Sequence, residues 1–546
     1  MIDSVINLLA NKRDERGLGI TFVSPGDIEG EFYPYSALRR DAIRYRQILQ
    51  GQGFQAGDHV LLQLVDNKAL VQAFWACLWG GFVPVPMSAA GDQRALGRVA
   101  RVQEILPRSH VLFQRADHPD VPAAGGLPGA IDFDSLDPDA APGPAEPDPE
   151  PVLASTVRLV QFSSGSTGDP KGVIITEGGL LAGLRACVPR RTPRLVNSLL
   201  SWLPLTHNLS LVGVHLYSIC QNYGQVLMPP SQFAMDPLSW LRAIGVHRPT
   251  VTFCPNFACK HVLKALARLG PEAIAGCDLS SVHKIVNGAE PIDQATVQAF
   301  ESQLEPFGLM RNVMVPGYGL TEASLGVTIA EIYQPLHTLT LDRDRIAVGQ
   351  SVADIQDDGG ATFTGLGAPT PGMSLSIRDA AGNILDNGVI GEIWIRGDSL
   401  SSGYIDAKGV HRHRLSPDGY LDTGDLGAVF GADLYVLGRK KDIIFVNGKN
   451  VYSHDLERVL EEALGFDCAV LGRTDDSGAE AVFVFLADAD TADRADREEA
   501  AGRAVATLMR EFGVPTTQVV WVGEIPRTQT GKKERFALQS LIPATV

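Results

Sequence analysis

The run Ser163-Ser164-Gly165-Ser166-Thr167-Gly168-Asp169-Pro170-Lys171-Gly172 has the residue types needed to hold a phosphate. Its glycines let the backbone turn with amides pointing inward, and its hydroxyls add donors, so the loop can surround phosphate oxygens. Lys171 adds one positive charge. This is not the P-loop of ATPases, in which Gly-Lys is followed by Ser or Thr; here Pro170 precedes Lys171 and Gly172 follows it. Taken alone, the same residues would equally make a flexible polar turn.

Five further segments follow in order: NGAEP at 287–291, GYGLTEAS at 317–324, DGYLDTGD at 418–425, GRKKD at 438–442 and IPRTQTGKKER at 525–535. With the loop they resemble the signature set of the adenylate-forming superfamily of acyl-CoA synthetases, fatty acyl-AMP ligases, peptide-synthetase adenylation domains and luciferases. The resemblance covers nearly the whole chain. It implies an enzyme that joins a carboxylic acid to AMP from ATP, releases pyrophosphate, and then passes the acyl group to a thiol of CoA or of carrier-protein phosphopantetheine. A carboxylate is a poor electrophile because its leaving group would be oxide, and AMP supplies a good one. The site must align the carboxylate with the α-phosphorus and neutralise developing charge.

The resemblance also implies roles for single residues. Ser163, Ser164, Gly165, Ser166, Thr167, Gly168 and Lys171 would hold the ATP phosphates. Glu322, beside Thr321, would bind Mg²⁺ bridging them, a hard cation among carboxylate and phosphate oxygens. Tyr318 would stack on adenine, and the backbone of Gly288, Ala289, Glu290 and Pro291 would line the base pocket. Asp425 would accept the ribose hydroxyls, and Arg439 would bind ribose or phosphate. Lys532, directly after Gly531, would bridge the carboxylate and the α-phosphate; the adjacent Lys533 is a competitor. Lys441 would mark a hinge between a domain of residues 1–440 and a small mobile one of 441–546 that carries Lys532.

Segments 201–213 and 229–258 look most like fatty acyl-AMP ligases. Between Thr328 and Gly365 lies an extra stretch in the position of the insertion typical of those ligases, which favours a carrier-protein thiol over free CoA. No acidic residue stands where the family holds an amino acid's ammonium group, so the expected substrate is a fatty, aryl or polyketide-like acid. Its pocket walls are expected at His207, Val212, Phe257, Val286, Gly319 and Leu325. Two departures bear on ATP handling: His207-Asn208-Leu209 replaces the usual His-Asp-Met, and Thr176-Glu177 replaces Thr-His. They raise an alternative, an acyltransferase that takes a preformed acyl-adenylate to a thiol.

The elements that must position these residues alternate. Tyr35–Gln50 and Ala69–Trp79 predict helices, and His59–Leu64, Phe82–Pro86 and Val157–Phe162 predict strands, the last running into the glycine-rich loop with a helix at Gly178–Cys187 after it. Short strands at Val251–Cys254, Lys284–Val286 and Val313–Pro316 continue a layered α/β pattern. Residues 117–152, rich in Pro, Ala and Asp, predict a surface excursion. From about 360 the pattern turns to strands at Ser374–Arg378, Gly391–Arg396, Gly427–Val429 and Asp433–Leu437. A small α+β unit closes the chain, with strands near Ile443–Val446 and Val482–Leu486 and helices at His454–Ala463 and Thr491–Phe512. The fold class is α/β: a large N-terminal adenylate-forming domain of several subdomains, α/β/α/β layers plus a β-rich one, and a small C-terminal domain.

The bulk numbers agree. A chain of 546 residues, 45% hydrophobic and 20% charged, outgrows one core, since single cores rarely exceed roughly 300 residues. A net charge of −16 argues against a nucleic-acid partner. The seven cysteines, Cys77, Cys187, Cys220, Cys254, Cys259, Cys277 and Cys468, form no CxxC pair and predict reduced thiols. The N-terminus reads as a short amphipathic helix without a signal peptide, and no apolar run is long enough to span a bilayer, so no membrane insertion and a cytoplasmic location are expected.

Overall fold

The computed structural model describes residues 4–12, 17–87, 93–106, 108–114, 127–140, 152–164, 170–187, 198–357, 360–446, 449–474, 480–487, 494–528, 531 and 533–542. A nine-stranded sheet carries the large part of the chain. Its spatial order is Ala368–Pro369, Gly326–Ile329, Met314–Gly319, Lys284–Asn287, Val251–Phe253, Ser198–Ser201, Gly224–Leu227, Gly19–Ser24, Asp27–Pro34. From Met314–Gly319 to Gly19–Ser24 the neighbours run parallel. Their short apolar runs suit strands covered on both faces. The polar residues that follow strand ends, Thr206-His207, Gly288-Ala289 and Leu320-Thr321, therefore gather at one edge, where open parallel sheets bind ligands.

A second sheet, all parallel, orders Val83–Pro86, His59–Gln63, Ser109–Phe113 and Ala130–Asp132. Beside it the helix Asn67–Gly80 is buried at every position from Ala69 to Leu78, as an all-round apolar sequence requires. Asp66 caps its start, and Gly81, with φ +70°, ends it. The excursion expected at 117–152 lies partly outside the described residues; within it, Ala130–Asp132 is an additional strand of this sheet.

The helix expected after the glycine-rich loop is present, and an additional strand separates the two. Val157–Ser164 pairs antiparallel with an unforeseen strand, Pro170–Thr176, and the helix Glu177–Ala186 comes only after it. The β-branched run Val173-Ile174-Ile175, buried in this strand, accounts for the difference. Gly403–Asp406 and Gly409–Arg412 extend the sheet.

Met373–Arg378, Gly391–Gly397, Leu421–Phe430 and Asp433–Arg439 form the expected antiparallel sheet. The extra stretch after Thr328 makes a hairpin of Thr338–Leu341 and Ala361–Thr364. It shares a core with Leu437 and Tyr452. Arg343 Nε in the same stretch donates to Asp455 Oδ2 at 2.6 Å. Beyond Asp442, Ile444, Leu456, Val482, Val484 and Leu508 pack into a core of their own. There Ser453–Leu464 and Arg494–Phe512 cover the strands Cys468–Thr474, Glu480–Ala487 and Gln518–Val522. No helix among the described residues is long and apolar enough to cross a membrane.

Glu177, one of the two departures, points into the core. It is 1% exposed; Oε2 accepts from Arg158 Nε at 2.5 Å and Oε1 accepts from the Val5 amide at 2.5 Å. The carboxylate thus docks the N-terminal helix Val5–Ala10, whose Val5, Ile6, Leu8 and Leu9 are buried. Removing it strands Arg158 in the interior. Glu177→Ala is expected to destabilise the fold by about 3–5 kcal/mol in urea unfolding, with ATP affinity of the folded protein unchanged. Lost affinity at unchanged stability would refute this assignment.

Candidate active site

Asp425 is 4% exposed and joins two sheets. Its Oδ2 accepts from the Tyr318 hydroxyl at 2.5 Å, and its Oδ1 faces Arg439 Nε at 3.0 Å. Arg439 comes from the cross-strand position opposite Asp425, whereas Tyr318 comes from the nine-stranded sheet. Burial first, then Asp425, pushes the Tyr318 phenol up, so it stays a donor.

Glu322 follows on a single 3₁₀ turn, Thr321–Ala323. Its Oε1 accepts from the Tyr404 hydroxyl at 2.9 Å, and the Lys171 ammonium sits 3.4 Å from the centre of the Tyr404 ring. His413 packs edge-on against that ring and meets the Ser401 hydroxyl at 2.6 Å. Sequence reasoning misses Tyr404 and His413, because neither lies in a spaced motif. The register that sets Tyr404 opposite Val173 reveals them. Among the described residues no three His, Cys, Asp or Glu side chains form a metal cluster. A lone carboxylate fits an ion completed by phosphate oxygens and water, as Mg²⁺ usually is.

These groups line one cleft of about 3000 Å³, several times a typical ligand pocket of roughly 300–1,000 Å³. That is room for a nucleotide, an acid and a path for a third group. Lys171, Gly288, Ala289, Glu290, Pro291, Tyr318, Gly319, Thr321, Glu322, Asp425, Arg439 and Lys441 all border it. Gly319 could be nothing else, since a Cβ there would come within 2.1 Å of the Leu325 carbonyl oxygen. Ser163 and Ser164 end the strand that leads to the loop, while Gly165, Ser166, Thr167, Gly168 and Lys532 lie outside the described residues.

Residues 20–405 match the family of AMP-binding enzymes. The 4-hydroxyphenylalkanoate adenylyltransferase of Mycobacterium marinum is 30% identical over 89% of this chain and 82% of its own length. A long-chain-fatty-acid–AMP ligase of Mycobacterium bovis is 29% identical over 88% of this chain and 86% of its own. A solved structure from studies of fatty acyl-adenylate ligases of E. coli and L. pneumophila has a TM-score of 0.84 at 25% identity, over 99% of this chain and 98% of that one. The chain belongs to the AMP-binding enzyme family. It stands in the acid-activating ligase branch with acyl-CoA synthetases and fatty acyl-AMP ligases.

In this AMP-binding enzyme His207, Phe257, Val286, Gly319 and Leu325, the residues expected to wall the acid pocket, all border the cleft. Val212 is a correction: it is 0% exposed in the main core. Leu209, Gly213 and Tyr217 border the cleft instead, at every fourth position, which leaves Val212 on another face of the segment. Asn208, the second departure, is buried and donates Nδ2 to the Ser324 carbonyl at 3.0 Å, bracing the turn after Glu322. Lys533 is committed elsewhere, with Nζ 2.7 Å from Glu461 Oε1 and 3.2 Å from Glu457 Oε2. Gly531, at φ +82°, lies so close to Phe257 that a Cβ would come within 2.2 Å of the ring.

Glu290 turns inward, where its Oε1 accepts from the Phe257 amide at 2.5 Å. Burial pushes its carboxyl from 4.5 up to about 7. A raised acid favours folding below its unfolded value, and that contribution is lost as pH rises through about 7. Glu290→Gln, which keeps an acceptor but cannot ionise, should therefore lose less thermal stability than the parent between about pH 5 and 8. A melting-temperature difference that stays constant across that range would contradict this.

Proposed function

We propose that this enzyme activates a carboxylic acid of fatty, aryl or polyketide-like type with ATP. An acid oxygen bonds to the α-phosphorus, the bond to the β-phosphate bridging oxygen breaks, and pyrophosphate leaves. A thiol sulfur then attacks the acyl carbon, AMP departs, and the thiol proton passes to solvent. The observation that carries this reading is the meeting of Tyr318, Asp425, Arg439, Glu322 and Lys171 at the rim of one cleft.

In this reading Asp425 takes the ribose hydroxyls, Tyr318 and the backbone of Gly288–Pro291 flank the base, and Lys171 with the loop at 163–168 faces the phosphates. Mg²⁺, held by Glu322, would supply charge neutralisation there. Lys532 neutralises charge between the carboxylate and the α-phosphate. Support comes from its neighbours, since Gly531 lies against Phe257 and Lys533 is engaged by Glu457 and Glu461.

The domains divide at 440/441. Lys440 is held by Glu392 and Asp422, each at 2.9 Å, whereas Lys441 is exposed. This suits a hinge in which one side is anchored and the next residue is not. The acceptor is CoA or a carrier-protein phosphopantetheine thiol. The ion pair of Arg343 with Asp455 holds the C-terminal unit to the insertion and supports the carrier protein, which brings docking energy of its own. Glu177 is engaged by Arg158 and the Val5 amide and Asn208 by the Ser324 carbonyl, so both departures have structural roles, which favours full adenylation over use of a preformed acyl-adenylate.

The test is acid-dependent exchange of pyrophosphate into ATP across a panel of acids. Lys532→Ala should lower exchange by at least about 100-fold, yet still transfer acyl groups from synthetic acyl-AMP to a thiol. Exchange absent in the parent, with transfer from acyl-AMP intact, would establish the transferase reading instead.

A further inference from the structure

The acid side of the cleft ends in a feature that acid activation does not use. Along the sheet face bordering the cleft, Phe253 and Val286 are register partners near the strand ends. Two residues earlier, Val251 pairs with both Leu199 and Lys284, and all three border the cleft. Lys284 precedes Gly288 by four positions. At ~3.3 Å per strand residue, it sits about 13 Å from the nucleotide end. Tyr217, last of the residues spaced by four along the facing segment, borders the same cleft, as does Cys187.

Among the described residues, neither the Lys284 ammonium nor the Tyr217 hydroxyl has a hydrogen-bond or ion-pair partner. Cys187 lies close enough to both to interact electrostatically. It is no counter-ion, because burial pushes its thiol up to about 12 and keeps it neutral. Burial also pushes the Lys284 ammonium down from its ordinary value. Lys284 is half-buried at the cleft wall, and an ammonium partly withdrawn from water without an anion is unfavourable. A wall otherwise built from Leu199, Val251, Phe253 and Val286 would be better completed by an apolar side chain if the substrate ended in a methyl group.

We infer that the acid activated here carries a second carboxylate at its distal end, received by Lys284 with a hydrogen bond from Tyr217. The inference rests on the acid-adenylation reading and narrows its substrate class to α,ω-dicarboxylic acids. Lys284 is then a specificity residue, remote from the bond that forms.

The experiment compares suberic with octanoic acid, and sebacic with decanoic acid, by pyrophosphate exchange into ATP. The parent enzyme should favour the dicarboxylic member of each pair by roughly 10- to 100-fold in kcat/KM, as expected when a polar site is left unpaired by an analogue. Lys284→Met should reverse that preference, Tyr217→Phe should reduce it, and Lys284→Glu should favour ω-aminooctanoic acid. AMP binding serves as the control for folding. Equal use of both members by the parent, or an unchanged preference in Lys284→Met, would overturn the inference while leaving adenylation intact. Exchange with no acid at all would sink the adenylation reading, and the inference with it.

Discussion

A nearly inaccessible carboxylate sets the layout of this molecule. Asp425 is supplied by the antiparallel sheet, and its partners come from two directions: Arg439 across the same sheet, Tyr318 from the end of a strand in the nine-stranded sheet. A buried carboxylate left without partners is costly. The two sheets must therefore meet where Tyr318 reaches Asp425, and their meeting fixes much of the cleft rim. Glu322 follows four residues after Tyr318, and the turn that leads to the C-terminal unit begins one residue after Arg439.

The glycine-rich loop reaches the same rim by a different construction. It joins two antiparallel strands, so its cation, Lys171, belongs to a strand whose register is fixed by Val157–Ser164 on one side and Gly403–Asp406 on the other. That register brings Tyr404 under Lys171 and in reach of Glu322. A loop opening a helix would use amides and the helix dipole against phosphate. Here the positive charge is positioned by a sheet, and Tyr404 links it to the acidic residue suited to a metal.

Much of this was legible in the sequence because it depends on local pattern. The helices Asn67–Gly80, apolar all round, and Ser453–Leu464, apolar on one face, lie within one or two residues of their expected bounds. The short buried strands Val251–Phe253 and Lys284–Asn287 were found too. Long-range pairing was not legible. The strand Pro170–Thr176 was hidden because its first residues belong to the glycine-rich motif and its partners lie on separate strands. Val212 was misplaced because which face of a helical segment meets the cleft depends on tertiary packing, and Gly213 against Leu325 decides it. In the sequence Glu177 reads as a change in ATP handling, whereas its partners, Arg158 and the Val5 amide, lie far from it in sequence and make it a structural group. The ordered motifs marked residues that gather at one cleft, because each motif is contiguous. Tyr404, His413, Tyr217 and Lys284 are single residues on separate elements, brought together only by the fold.

The most direct measurement is a calorimetric titration of AMP into the parent enzyme and into Asp425→Asn. The side chain keeps its shape but loses the charge that faces Arg439. If Asp425 organises the nucleotide site, affinity should fall by at least about tenfold, the scale of a lost charge-assisted hydrogen bond. Equal affinity in the two proteins would mean that the nucleotide binds elsewhere in the cleft, and would contradict the account at its centre.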